Sequence, residues 1–358
     1  MLLILLRCMN PIGERQVNMS SQVIFTTSRG EWHQQAALQS APENLVVEII
    51  RGPDREQLKN TLEEADFWIS ERSGPIDAAL LSSAPKLKLI QRLGSQVHDI
   101  DLQAAGQAGI AVCYLPLEDA IQVAEHLILQ MLSLARKLLQ TVEIPLHPRR
   151  EWGESRQTDE DTFRYNWAGL SGIQPLWKKT VGIFGFGEIG MELARRLKGW
   201  NCRVWYQKRA PLPPWVEEQL GIDYRPAEAI FAGADYLVNL LPHSPQTKHY
   251  FHQDTFNGCQ QGAFLVSCGS GGTIDEDALA QAVLQGKLAG AALDTYSWEP
   301  LPADSPLTAA ARQGANLLLT PHIAAGTAEW LGELPDRSGD YRNLLHYLAG
   351  EPLEYQLI

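Results

Sequence analysis

The sequence predicts an α/β protein built on two parallel sheets. Three observations carry this. Its 358 residues exceed one ordinary domain and suit two, at ~100–200 residues each. Short apolar runs alternate with amphipathic stretches along residues 21–115 and again along 180–319, the rhythm of strand–helix–strand units. The second stretch opens on a glycine pattern set between a strand run and an amphipathic helix.

Composition narrows the partners. Hydrophobic residues make up 45% and charged residues 20%, which excludes wholesale disorder, a collagen-like chain and a coiled coil. A net charge of −12 repels phosphate backbones and anionic lipid at long range, so neither nucleic acid nor a membrane is expected as a partner. Local donors can still capture a small anion. The five cysteines, Cys8, Cys113, Cys202, Cys259 and Cys268, are odd in number and contain no C-x-x-C. That argues against a disulfide framework and a zinc site and places the protein in a reducing compartment, the cytoplasm; no metal is expected.

The chain starts MLLILL before Arg7, too short an apolar run for a bilayer span of ~20 residues. No basic stretch precedes it, unlike a signal peptide. Residues 1–19 are expected to be a loose N-terminal extension, with Met19 an alternative start. Strand runs follow at Gln22–Phe25, Leu45–Ile50, Phe67–Ile69, Leu87–Ile90 and Ile110–Cys113, with helix patterns at Arg55–Glu64 and Ile76–Ser83. Ile121–Gln140 reads as one long helix, apolar nearly all round and therefore expected to be buried between domains. Residues 141–175 lose periodicity and read as a surface-wrapping loop anchored by Trp152 and Trp167. Strand runs resume at Val181–Phe184, Arg203–Tyr206, Tyr236–Leu240, Phe264–Ser267, Ala291–Asp294 and Leu317–Leu319. A last helix is expected over Ala328–Leu348.

Val181–Gly190 reads VGIFGFGEIG, placing Gly185, Gly187 and Gly190 in G-x-G-x-x-G. Gly185 permits a tight turn, Gly187 lets the backbone approach a pyrophosphate, and Gly190 lets the helix pack closely. The helix start, with Glu188 and Ile189, offers free N–H groups to phosphate. The next strand usually ends in an acid that accepts the ribose hydroxyls of NAD. Here it ends Gln207-Lys208-Arg209. Two cations suit a 2′-phosphate, so the expected cofactor is NAD(P), with NADP favoured over NAD.

Together with this motif, DTYSWEP at 294–300, LTPHIAAGT at 319–327, VAEHLILQMLSL at 123–134 and LLPHSPQT at 240–247 resemble the D-isomer-specific 2-hydroxyacid dehydrogenases, in order from about residue 20 to 350. The resemblance implies two Rossmann- or flavodoxin-like domains with parallel sheets, the dinucleotide domain (121–324, including the crossover helix) inserted into the substrate domain (20–120 with 325–358). It implies a homodimer joined through the crossover helix. It also implies cofactor contacts from Pro242, Thr247 and Asp294, the last read as a structural or nicotinamide-side residue.

The family's acid/base histidine maps to His322 and its partner carboxylate to Glu299. An imidazolium gives the proton that a ketone needs as hydride reduces it, and the carboxylate holds that form. His249 and His252 lack such context and read as surface residues. The substrate loop maps to Gly94-Ser95-Gln96, where the family has G-x-G; Gln96 resists φ > 0.

The largest departure is Ser270, which stands where the family places an arginine that grips the substrate carboxylate. A charge-assisted hydrogen bond contributes ~1.5–3 kcal/mol against roughly 1 for a neutral one. Three outcomes stand: another cation (Arg92 or His243) substitutes; the substrate lacks a carboxylate, or is larger and seated against Tyr296 and Trp298; or the protein binds dinucleotide without turnover. The expected activity is hydride transfer between nicotinamide and a 2-oxo/2-hydroxy acid or related carbonyl, with His322, Glu299 and Ser270 catalytic. The alternative is an inactive dinucleotide-sensing protein on the same fold.

Overall fold

In the computed structural model, which describes residues 20–71, 74–326 and 334–358, the chain divides into two units: residues up to 115 with 334–358, and residues 116–333. The expected extension at 1–19 lies outside the described residues.

The first unit carries a five-stranded parallel sheet of β1 (Ser21–Thr27), β2 (Leu45–Arg51), β3 (Phe67–Ser70), β4 (Leu89–Leu93) and β5 (Ala111–Leu115), in the order β2-β1-β3-β4-β5. β3 and β4 are buried along their whole length, and apart from Ser70 in β3 and Gln91 and Arg92 in β4 their residues are apolar rather than alternating. The helices are α1 (Glu31–Gln39), α2 (Arg55–Leu62), α3 (Ala78–Leu81) and α4 (Leu102–Gln107). Asp54, Asp77 and Asp101 start the last three by accepting the backbone N–H of Gln57, Leu80 and Ala104 at 2.8, 2.9 and 2.9 Å. α1 has no side-chain cap and starts from Gly30 with Glu31 in its first turn. The C-terminal residues return to this unit: the Tyr341 hydroxyl donates to the Ala37 carbonyl at 2.7 Å, and Leu357 N donates to Val112 O at 2.8 Å.

In the second unit the expected 121–140 helix is two helices, α5 (Glu118–Ala135) and α6 (Leu138–Leu146). Lys137 breaks the run with φ 48°. α5 buries Val123, Leu127, Met131 and Leu134 in this unit's core. α6 buries nothing, leaves Leu139, Val142 and Leu146 exposed, and extends into the stretch expected to be loop. Trp152 and Trp167 pack edge to face on each other, centroids 5.0 Å apart, and Trp167 stays exposed.

Seven parallel strands follow: β6 (Thr180–Phe184), β7 (Arg203–Gln207), β8 (Ile222–Tyr224), β9 (Tyr236–Asn239), β10 (Ala263–Ser267), β11 (Leu288–Leu293) and β12 (Leu317–Leu319). Their order is β12-β11-β10-β9-β6-β7-β8. The winding reverses between β6 and β9, the place where open α/β sheets hold ligands at the strand carboxyl ends. The helices between are α7 (Glu188–Leu197), α8 (Pro214–Leu220), α9 (Ala227–Gly233), α10 (Gln253–Gly258), α11 (Glu276–Leu284) and α12 (Pro306–Arg312). One apolar cluster joins α5 and α7 to the sheet through Leu127, Ile183, Leu193 and Val266. A second joins α9–α12 to it through Ile230, Leu237, Phe256 and Leu279.

The last helix, α13 (Arg342–Ala349), is shorter than expected and follows a 3-10 turn at Ser338–Tyr341. Pro335 lacks an N–H, and Asp336 accepts the Ser338 N–H at 2.8 Å, which competes with helix there. Residues 328–333 of the expected helix lie outside the described residues.

Candidate active site

β6 runs into the glycine loop at the reversal of the sheet. Gly185 has φ 85°, and a Cβ there would sit 2.6 Å from the Leu240 carbonyl oxygen, so only glycine fits. Its N–H donates to Gln207 O at 3.1 Å, tying the loop to the end of β7. Gly187 caps α7, and nothing lies within 4 Å of where its Cβ would be. Glu188, Ile189 and Gly190 form the first turn of α7, whose N–H groups have no intrahelical acceptor. This is a cradle that a side chain would fill, and it fits a pyrophosphate. Gly190 departs from expectation in one respect: its close neighbour is the Phe186 ring, 3.0 Å from its Cβ position.

At the end of β7, Lys208 is half-buried and Arg209 exposed. Pro242–Thr247 is a self-bonded turn: the Thr247 hydroxyl donates to Pro242 O at 2.6 Å, and Ser244 N donates to the Thr247 hydroxyl at 2.8 Å.

Ser270 follows β10, and its N–H donates to Leu241 O at 2.9 Å. Behind it, a Cβ on Gly271 would fall 2.0 Å from the Tyr296 carbonyl carbon, so this loop closes against residue 296 only as glycine. Ser270 shares a cavity of about 450 Å³ with Tyr296, Ser297, Glu299 and His322. Among the described residues lining it, none is Lys or Arg.

His322 Nδ1 lies 2.7 Å from Glu299 Oε2, and Glu299 Oε1 accepts the Tyr296 N–H at 3.0 Å. With the proton on Nδ1, the ring donates to Glu299 and leaves Nε2 for other work. His322 itself has φ 55°, a left-handed conformation costing about 1 kcal/mol or more for a residue with a Cβ.

Asp294 over-determines that conformation. It is fully buried; its Oδ1 accepts from the Thr320 hydroxyl at 2.6 Å and Ile323 N at 3.0 Å, and its Oδ2 from Ala324 N at 2.8 Å. The carboxylate therefore holds the Thr320 side chain before His322 and the Ile323 and Ala324 backbone after it. This makes Asp294 a holder of the loop, the structural one of the two readings given above.

His126 of α5 completes the network, with Nε2 3.2 Å from the Thr320 hydroxyl and 3.6 Å from Asp294 Oδ1. Burial pushes its imidazole below the ordinary value, opposed by Asp294. Sequence reading passed over His126. Its signal was a stripe of polar residues at helical spacing, His126, Gln130 and Ser133, within the apolar half of α5.

The remaining expected substrate residues lie in the first unit. Gly94 has φ 96°, Ser95 is half-buried, and Gln96 is fully buried without a positive φ. Arg92 is fully buried, with Nη2 3.0 Å from Asp99 Oδ1, so its charge is already engaged. His243 is exposed and lies against Gly272, where a Cβ would come 2.6 Å from its Cδ2. His249 is exposed, whereas His252 caps α10 through Nδ1, which accepts the Asp254 N–H at 3.3 Å. Among the described residues no three His, Cys, Asp or Glu side chains are grouped to hold a metal, and no helix is long and apolar enough to cross a membrane.

Comparison with known proteins places this geometry. Residues 149–324 match the family model described as D-isomer specific 2-hydroxyacid dehydrogenase, NAD binding domain. The chain is 30% identical over 334 residues to a glyoxylate/hydroxypyruvate reductase B of Yersinia pestis, covering 92% of this chain and 94% of that one. It is 30% identical over 303 residues to a D-3-phosphoglycerate dehydrogenase of Mycobacterium bovis, covering 83% of this chain and 51% of that one. It thus spans about half the length of the phosphoglycerate dehydrogenases it matches. A solved protein from Pyrococcus horikoshii superposes with a TM-score of 0.54 at 28% identity, covering 95% of each chain.

Proposed function

The chain belongs to the D-isomer-specific 2-hydroxyacid dehydrogenase family, and on that premise we propose that it is a nicotinamide-dependent oxidoreductase acting on a 2-oxo/2-hydroxy acid or related carbonyl. The observation that carries this is the His322–Glu299 pair, 2.7 Å apart, lining one cavity with Ser270. We assign the first unit as the substrate domain and the second as the dinucleotide domain.

When bound, the dinucleotide supplies or accepts the hydride at the substrate carbon. His322 exchanges the proton. In reduction, hydride adds to the carbonyl carbon while Nε2–H is given to the forming alkoxide oxygen, leaving neutral imidazole that regains its proton from solvent. Glu299 accepts from Nδ1 throughout, fixing the ring's orientation and offsetting the positive charge of its protonated form. Asp294 keeps the histidine in place. Ser270 offers a hydroxyl to the substrate, and in the first unit Gly94, Ser95 and Gln96 are assigned to substrate binding. His243, exposed beside Gly272, is the better placed of the two candidate substitutes for the missing arginine, because Arg92 is buried and paired.

Gly185, Gly187, Glu188, Ile189 and Gly190 receive the pyrophosphate, and Pro242 and Thr247 also contact the dinucleotide. NADPH is the preferred reductant, with Lys208 and Arg209 receiving its 2′-phosphate. Replacing both with Ala should weaken NADPH binding about tenfold or more and leave NADH binding within twofold, read by titrating reduced-nicotinamide fluorescence. Equal losses for both dinucleotides would remove this assignment.

We further propose a cytoplasmic homodimer. The thiols of Cys113, Cys202, Cys259 and Cys268 fit a reducing compartment, and the exposed Leu139, Val142 and Leu146 of α6 offer a face for a second copy. The activity is tested by following NADPH absorbance with short 2-oxo acids. Cofactor binding without turnover would favour the sensing role, which the absence of Lys and Arg among the described cavity residues supports.

A further inference from the structure

We infer that Tyr206 is a positioning residue that couples the pyrophosphate loop to the 2′-phosphate loop, and so sets the preference between phosphorylated and unphosphorylated dinucleotides. The inference rests on the reading of Lys208 and Arg209 given above.

Tyr206 sits one residue before the end of β7 and is fully buried. Its ring lies 4.8 Å, centroid to centroid, from Phe186, the residue between Gly185 and Gly187. Its hydroxyl donates to Glu217 Oε1 of α8 at 2.6 Å and accepts the Leu212 N–H at 2.7 Å. One side chain therefore touches the glycine loop with its ring and fastens the next loop with its oxygen.

The second contact closes a short bridge. Residues 208–211 leave β7, and the Leu212 N–H returns to the hydroxyl of a residue in that strand. Pro211 and Pro213 flank the closure and restrict φ there. Lys208 and Arg209 thus stand on backbone held at both ends. A pair of cations fixed in advance binds phosphate better than a mobile pair, because less ordering is left for the moment of binding. A tyrosine serving only the core would need one partner for its hydroxyl; this one has two, and one of them is the backbone of the selecting loop.

Removing the hydroxyl loosens the loop that meets the 2′-phosphate more than the loop that meets the pyrophosphate. We therefore expect Tyr206→Phe, which keeps the ring against Phe186, to reduce the NADPH-over-NADH binding preference about tenfold. The measurement is Kd for each dinucleotide by reduced-nicotinamide fluorescence, on wild type and variant, with no substrate present. Should Tyr206→Phe fail to fold, Glu217→Ala removes the hydroxyl's acceptor and is expected to move the ratio in the same direction. A purely structural tyrosine predicts the contrary result: both Kd values change by the same factor, or neither changes. Wild type that binds NADH at least as tightly as NADPH overturns the phosphate assignment itself. Wild type that prefers NADPH, with the ratio unmoved in the variant, overturns the role of Tyr206 alone.

Discussion

His322→Ala is expected to lower turnover by about 10²–10⁴-fold while leaving dinucleotide affinity unchanged. The ring is largely exposed, at 60%, and among the described residues its side chain bonds only Glu299, so little stability is lost with it. The glycine loop that would hold pyrophosphate is built from β6, β7 and α7 and makes no use of His322. Proton delivery therefore fails while binding persists. Rapid-mixing turnover and a fluorescence titration on the same sample separate the two. A variant that retains more than a tenth of wild-type turnover would remove His322 from the mechanism.

Asp294→Ala is expected to damage both stability and turnover. Its carboxylate is fully buried and accepts from Thr320, Ile323 and Ala324. Truncation leaves two backbone N–H groups and a hydroxyl without that acceptor, at about 1–3 kcal/mol each. A loss of roughly 3–9 kcal/mol in unfolding free energy follows, read by chemical denaturation. Turnover should fall at least a hundredfold in whatever fraction remains folded, because the φ 55° conformation of His322 loses the groups that enforce it. Asp294→Asn, which keeps one acceptor oxygen, should recover part of the stability. Full stability in Asp294→Ala would contradict the holding role.

How far the sequence could be read depended on the range of the interactions involved. Gly185 was legible because its requirement is local: a turn with positive φ and a carbonyl 2.6 Å from its Cβ position tolerate no side chain. The strand runs were legible because buried parallel strands are mostly apolar. β8 was missed because its three residues include exposed Asp223, leaving no apolar run. The break at Lys137 was missed because apolar spacing continues across it, and only backbone geometry records the change. Asp294 was assigned on resemblance, but its role is set by the three groups it meets 26, 29 and 30 residues away. Tyr206 was read simply as strand, since neither Phe186 nor Leu212 is near enough in sequence to form a pattern with it.

Ser270 remains the feature that most separates this chain from its family pattern, and it bears directly on whether the cavity it shares with His322 turns over a carbonyl substrate. The most direct measurement is NADPH absorbance over time with glyoxylate, hydroxypyruvate and pyruvate, on wild type, His322→Ala and Ser270→Arg. Wild type is expected to oxidise NADPH, His322→Ala to lose that activity, and Ser270→Arg to reduce 2-oxo acids faster, by up to a few hundredfold where the missing cation limits the rate. Silence from both wild type and Ser270→Arg, with dinucleotide binding confirmed in the same samples, would contradict the proposed activity.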